Sequence, residues 1–165
     1  MKKLGAKGMK TLKVFHLLFV MVWLVGVLSM WVLNLQTPEN GSELKMLLGS
    51  ILWIDHTMTI PGAMLTVLTG IIYGAFTNYG FFKLRWITVK WIVGVAVILS
   101  GTFIFHPDSL KLISIIESNA DGVFRNPQMM ASFYQGRITT LVQGLFLVFL
   151  VVISVFKPWR KTLVK

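Results

Sequence analysis

Residues 54–61 read IDHTMTIP and residues 62–76 read GAMLTVLTGIIYGAF, so an acid, an imidazole and a proline stand at the start of a long apolar stretch. A helix needs about 20 mostly apolar residues to cross the roughly 30 Å of hydrocarbon in a membrane. The chain contains four such runs, near 12–35, 46–76, 86–105 and 131–156. The sequence therefore predicts an all-α fold, an integral membrane four-helix bundle in which residues 1–165 form a single transmembrane domain.

The composition supports a membrane protein and limits its chemistry. Of the 165 residues, 55% are hydrophobic and only 13% are charged, whereas a soluble domain carries about a quarter charged residues. The chain contains no cysteine, which excludes disulfides, thiolate metal sites and covalent attachment of haem through a Cys-x-x-Cys-His motif. Any cofactor must therefore be held by other ligands.

The distribution of charge predicts the orientation of the spans. Twelve basic residues lie in the N-terminus, in the loop after the second span and in the C-terminal tail. The other segments contain four basic residues and all six acids: Lys45, Lys111, Arg125, Arg137, Glu39, Glu43, Asp55, Asp108, Glu117 and Asp121. The positive-inside rule then places both termini in the cytoplasm. Because a helical bundle is typical of inner membranes, we expect a multi-pass protein of a bacterial inner (plasma) membrane.

The net charge of +10 could suggest a nucleic-acid partner, but the basic residues flank apolar spans in short clusters. The expected partner is therefore the anionic surface of the lipid bilayer, and not nucleic acid. The external segment between the third and fourth spans contains SLKLISIIES at 109–118, in which Leu110, Ile113 and Ile116 alternate with polar residues at helical spacing. This pattern predicts a short amphipathic helix that lies on the outer interface.

Two histidines are predicted to share one level of the membrane. At 1.5 Å per residue, His56 lies about 30 Å before the end of the second span at residue 76, and the third span brings His106 to the same outer level. Two imidazoles from different helices suit the axial positions of a b-type haem. In this hypothesis His56 and His106 bind the iron, Asp55 supports a ligand on another helix, and Arg137 pairs with the haem propionates.

His16 and Lys90 share the opposite, cytoplasmic level, so the three histidines do not form one metal cluster. Simpler interpretations compete with function at each of these positions. A histidine at the interface costs little, His106 precedes Pro107 at a helix end, and the Lys90 side chain can extend to the headgroups as a membrane anchor.

Three stretches resemble one family in order and spacing. They are LKVFHLLFVMVWLVG at 12–26, TIPGAMLTVLTGI at 59–71 and WITVKWIVGVAVIL at 86–99. They are similar to the His-containing first helix, the Pro-x-x-x-Leu-Thr helix and the Trp-x-x-x-Lys helix of the membrane protoporphyrinogen oxidases of the HemJ kind. Copper-resistance D proteins share parts of the pattern. The resemblance implies that haem b is bound and that His16 and Lys90 are catalytic. If the haem lies on the cytoplasmic side, His16 becomes its metal ligand.

The function predicted from the sequence is therefore that of a haem- or porphyrin-binding membrane redox protein, which oxidises a porphyrinogen or a quinol-type donor. One alternative is a small transporter or channel, in which Asp55, Lys90 and Arg137 line a polar path. Another is a non-catalytic membrane partner subunit, packed against other chains or against copies of itself in a homo-oligomer. The sequence leaves open whether the outer pair or His16 binds a haem.

Overall fold

The computed structural model describes residues 3–77, 80–118 and 125–159 of the chain. Within these residues the protein is helical, and four helices are long and apolar enough to cross a membrane. They are α1 (Ala6–Leu33), α2 (Gly41–Phe76), α3 (Arg85–Ser118) and α4 (Pro127–Phe156). The prediction of an all-α membrane protein with four spans is confirmed at this level.

Polar side chains fix where the helices begin. The side chain of Asn40 accepts a hydrogen bond of 2.9 Å from the backbone N–H of Glu43 at the start of α2. The Glu43 carboxylate in turn accepts one of 2.9 Å from the backbone N–H of Glu39. The side chain of Asn126 accepts from the N–H of Gln128 at the start of α4, where Pro127 fills the first helical position. These contacts satisfy N–H groups that have no partner within the helix.

The four helices run alternately up and down. Near the chain terminus, the backbone N–H of Leu4 donates to the carbonyl of Phe76, which joins the start of α1 to the end of α2. At the opposite end, the Lys45 ammonium lies 3.0 Å from the Glu117 carboxylate, which joins the start of α2 to the end of α3. We call these the terminal end and the loop end of the bundle. Helix α1 also packs against α4, and α4 against α3.

Small residues bring α1 and α2 into close contact. A Cβ atom added to Gly62 would lie 2.6 Å from the backbone nitrogen of Trp23, and one added to Gly26 would lie 2.6 Å from the hydroxyl of Thr59. Glycine allows the two backbones to approach where any side chain would clash. This close contact fixes the position of Thr59 and Gly62 of α2 relative to α1.

Helices α2 and α3 are longer than a membrane crossing requires. They contain 36 and 34 residues, or about 54 and 51 Å at 1.5 Å per residue, against roughly 30 Å of hydrocarbon. Their loop-end halves contact each other. The buried apolar side chains of these halves are Leu44, Leu47, Leu48, Ile51, Leu112 and Ile116. These side chains belong to the same core as the buried side chains of α1 and α4.

Residues 109–118, predicted to form a short amphipathic helix on the outer interface, are helical and form the end of α3. Residues 106–118 continue α3 without a break. The side chains of Leu112 and Ile116 are buried against the core, while Leu110 is 48% exposed. The pattern of alternating apolar and polar residues reflects contact with α2, which a local sequence pattern cannot distinguish from contact with a membrane surface.

Each of the two long helices contains one π-helical segment, Asp55–Thr59 in α2 and Gly101–Phe105 in α3. Each segment ends two residues before a proline, Pro61 or Pro107. A proline ring clashes with the carbonyl four residues earlier, and that carbonyl belongs to the central residue of each segment. The wider π turn relieves the clash. A proline therefore has the same effect on the helix in α2 and in α3.

Candidate functional site

The loop-end cluster consists of Asp55, His56 and His106, which lie at the two π segments. The ring centres of His56 and His106 are 5.2 Å apart, with an interplanar angle of 57°. Asp55 is buried, and its Oδ2 lies 3.5 Å from Nδ1 of His106. That nitrogen is buried without an aligned hydrogen bond among the described residues, so the contact with Asp55 is electrostatic. The structure therefore brings these three predicted site residues together.

The contacts of Nδ1 determine which nitrogen of each ring is available. Nδ1 of His56 lies 2.8 Å from the carbonyl oxygen of Leu52. A carbonyl oxygen can only accept, so Nδ1 of a neutral His56 carries the proton and Nε2 carries the lone pair. The Asp55 carboxylate favours the same tautomer in His106, because it too accepts. Both imidazoles thus keep Nε2 available as a ligand atom.

The distance between the rings does not fit the predicted bis-His haem. A metal–nitrogen bond of about 2.0–2.1 Å puts each ring centre about 3.2 Å from the metal, so two imidazoles on opposite faces of a haem would have centres about 6.4 Å apart. The observed separation is 5.2 Å. The rings are too close for a macrocycle to lie between them.

Arg137 lies at the loop end but is occupied by backbone carbonyl groups. Its Nε donates to the carbonyl of Asn34 at 2.6 Å, and one terminal nitrogen donates to that of Gln36 at 3.2 Å. Its guanidinium also lies over the rings of Phe133 and Tyr134, 5.9 and 5.4 Å from their centres. These contacts join α4 to the turn that follows α1, and they give Arg137 a structural role. Its predicted pairing with haem propionates stays a prediction.

The terminal-end cluster is built around His16. Nδ1 of His16 lies 2.7 Å from the hydroxyl of Thr69, and that hydroxyl donates to the carbonyls of Leu65 and Thr66 at 2.8 and 2.9 Å. Because the hydroxyl proton points to these carbonyls, the hydroxyl accepts from Nδ1–H of His16, and Nε2 again carries the lone pair. The ring also meets Tyr73 edge to face, with centres 5.8 Å apart.

Lys90 lies at the same end, on α3. Its ammonium is 5.6 Å from the centre of the Trp86 ring and close enough to His16 to interact with it electrostatically. Within residues 3–77, 80–118 and 125–159, no carboxylate forms a salt bridge with Lys90. The structure therefore brings His16 and Lys90 into one region, as their shared level suggested, and leaves the lysine charge without an acidic counterpart there.

Several polar contacts inside the bundle were missed from the sequence. The side chain of Gln143 donates to the hydroxyl of Ser100 at 2.9 Å, which links α4 to α3. Thr69 was missed as the partner of His16, although Thr66 and Thr69 stand three residues apart on one face of α2. The hydroxyl of Thr66 is buried and has no hydrogen-bond partner among the described residues. The Thr-x-x-Thr spacing was the available signal.

Two cavities of the described region differ from a histidine-lined cleft of porphyrin size. A cavity of about 10 Å³ lies between the loop-end parts of the helices, and an open groove of about 850 Å³ runs between the end of α1 and the start of α2. Neither is lined by a histidine. The described residues also contain no group of three or more histidine and acidic side chains placed to hold a metal.

Comparison of the chain with models of protein families, with curated proteins and with solved structures gives no match. The likeness of the three quoted stretches to the membrane protoporphyrinogen oxidases therefore stays a prediction. The candidate sites have to be judged on their geometry.

Proposed function

We propose that this chain is a membrane oxidoreductase that binds a lipid-soluble donor with carboxylate groups, of the porphyrin class, at the terminal end of the bundle. One observation carries the proposal: a fixed imidazole and an ammonium that has no acidic partner among the described residues lie on different helices, near enough for the lysine charge to act on the imidazole. His16 and Lys90 are the residues concerned. They are also the two positions that the resemblance implies to be catalytic.

The unbalanced charge of Lys90 supports an anionic ligand. A charged group within a membrane span is costly unless it is paired or reaches the interface. The described acids that have an ion-pair contact, Asp55 and Glu117, belong to the loop end. A carboxylate of a bound donor would balance the ammonium, and the aromatic side chains nearby, Trp86 and Tyr73, would contact its apolar body.

The two residues would then have different tasks. Lys90 would hold the carboxylate of the donor and so set its orientation. His16, whose ring is fixed through Nδ1 by Thr69, would take a proton from the donor at Nε2, while the electrons of the donor would pass to a quinone-type acceptor in the membrane. The buried hydroxyl of Thr66 offers a further polar contact at this end. Haem b, which the resemblance implies as the electron carrier, does not fit between His56 and His106.

The alternative functions receive less support from the geometry. The three charged residues expected to line a transport path lie in separate environments: Asp55 faces His106, Lys90 lies over Trp86, and Arg137 binds the turn after α1. We further propose that the terminal end faces the cytoplasm of a bacterial cell, where its basic residues meet anionic lipids. A homo-oligomer and a role as a partner subunit stay predictions.

Binding of protoporphyrin IX tests the proposal directly. Lys90→Gln should weaken binding to the purified full chain at least tenfold, as read from quenching of tryptophan fluorescence, while Lys90→Arg should retain more affinity because it keeps the charge. The matched control is Lys111→Gln, which removes an exposed lysine at the loop end. Wild-type affinity in folded Lys90→Gln would reduce Lys90 to a headgroup anchor and refute the proposal.

A further inference from the structure

The geometry points to a non-haem metal site at the loop end. We infer that His56 and His106 bind one divalent transition-metal ion of the zinc type through their Nε2 atoms, and that Asp55 positions His106. This site is separate from the proposed function, which concerns the opposite end of the bundle. It uses the same two histidines that the sequence assigned to haem, but in a different coordination geometry.

The ring separation carries the inference. Two imidazoles that bind one metal at the tetrahedral angle, with metal–nitrogen bonds of about 2.0–2.1 Å, have ring centres about 5.2 Å apart. The centres of His56 and His106 are 5.2 Å apart. The distance therefore matches two adjacent ligands of one ion, whereas ligands on opposite sides would require about 6.4 Å.

The surroundings of both rings follow the pattern of histidine ligands in metal sites. Such a histidine usually donates its other ring N–H to a carbonyl or a carboxylate, which fixes the tautomer and the orientation. Nδ1 of His56 is fixed by the carbonyl of Leu52 at 2.8 Å. Nδ1 of His106 faces Asp55 at 3.5 Å, and it is an unsatisfied buried atom that a small rotation of the ring would align.

All three side chains are positioned by helices, and none of them lies on a loop. Each lies on a long helix, and the π segments beside Pro61 and Pro107 set their rotation about the helix axes. Asp55 is 7% exposed, so its carboxylate lies beside His106 and is not solvated by bulk water. His56 is exposed and His106 is partly exposed, which gives an ion access from the surface.

The chemistry of the donors limits the choice of ion. Two neutral imidazoles suit Zn²⁺ and its neighbours in the transition series, and they do not suit Ca²⁺ or Mg²⁺, which take oxygen ligands. Two protein ligands leave two positions of a tetrahedral ion for water or for an external ligand.

The test uses the full-length chain in detergent, without a histidine tag and treated with chelator. Zn²⁺ is titrated by calorimetry, and Co²⁺ is added separately to read the coordination geometry from its visible absorption. We expect one ion per chain and the intense absorption of four-coordinate Co²⁺. His56→Ala and His106→Ala should each weaken Zn²⁺ binding at least tenfold, and Asp55→Asn should weaken it about 10- to 100-fold.

The matched control is His16→Ala, which removes the third histidine at the other end and should leave Zn²⁺ binding unchanged. His56 is exposed, so His56→Ala leaves a folded protein even if His106→Ala does not, and size-exclusion profiles would verify this. Equal Zn²⁺ affinity in wild type and His56→Ala would overturn the site. So would a six-coordinate Co²⁺ spectrum that is the same in all variants.

Discussion

Oδ2 of Asp55 lies 3.5 Å from Nδ1 of His106, across the interface between α2 and α3. Asp55 begins one π segment, and His106 directly follows the other. One extra residue in a helical turn rotates the side chains before it by about 100° relative to those after it. The contact between these residues therefore depends on both π segments, and through them on two prolines.

The prolines can be tested through metal binding. Pro107→Ala removes the clash with the carbonyl of Phe103, so the segment Gly101–Phe105 should relax toward a regular α-helix. His106 would then turn away from His56, and we expect Zn²⁺ affinity to fall at least tenfold in folded protein. Pro38→Ala, in the loop before α2, is the control. Unchanged affinity in Pro107→Ala would show that the proline does not set the position of the ring.

The contact between α1 and α2 makes a prediction about stability. Gly62→Ala places a Cβ 2.6 Å from the backbone nitrogen of Trp23, which cannot move as a flexible side chain would. We expect the free energy of unfolding in mixed micelles to fall by about 1–3 kcal/mol. The control is Gly49→Ala, where a Cβ would meet nothing within 4 Å. If the two variants were equally stable, the close approach of the helices would be disproved.

The hydrogen bonds between Arg137 and the turn after α1 predict a purely structural effect of its substitution. Arg137→Ala removes two hydrogen bonds to the carbonyls of Asn34 and Gln36. Each hydrogen bond from a charged group contributes about 1.5–3 kcal/mol. Loss of both bonds should therefore lower the free energy of unfolding by at least the contribution of one. Thermal unfolding in detergent would measure the loss, with the exposed Arg125→Ala as control. Loss of ligand binding without loss of stability would instead indicate that Arg137 belongs to a binding site.

The orientation of the chain can be determined with reporter fusions. Because twelve basic residues stand on one side against four on the other, reporters fused after Lys165 and inserted at Tyr79 should both report the cytoplasm. A reporter inserted at Asn119 should report the exterior. An external signal from Lys165 would reverse the orientation that we propose and place His16 and Lys90 on the outer side.

The terminal-end pair predicts non-additive losses. If His16 and Lys90 act on one bound donor, His16→Ala and Lys90→Gln should each remove most of the redox activity per mole of folded protein, and the double variant should be no worse than either single variant. Residues that act independently would give losses that multiply. Activity would be measured on detergent-extracted protein of matched monodispersity. Losses that multiply would show that His16 and Lys90 do not act on one bound donor.

Local sequence patterns were sufficient to locate the four long helices. Hydropathy and length located all four spans, and the predicted ends at residues 76 and 156 coincide with the ends of α2 and α4. The end of α3 was missed by 13 residues, since the prediction stopped at 105 and the helix continues to Ser118. That continuation is stabilised by burial of Leu112 and Ile116 beside α2, a contact that depends on a partner far away in the sequence.

The sequence by itself determined the level of each functional residue, because the rise of a helix is constant and the spans begin and end where hydropathy changes. It thus placed His56 with His106, and His16 with Lys90. Only the tertiary structure decided how these side chains are turned about their helices, since two π segments and the close contact of Gly62 with Trp23 set that rotation. The rotation is what brings Asp55 to His106 and sets the two imidazoles at 5.2 Å, a spacing that fits one metal ion and not the two faces of a haem.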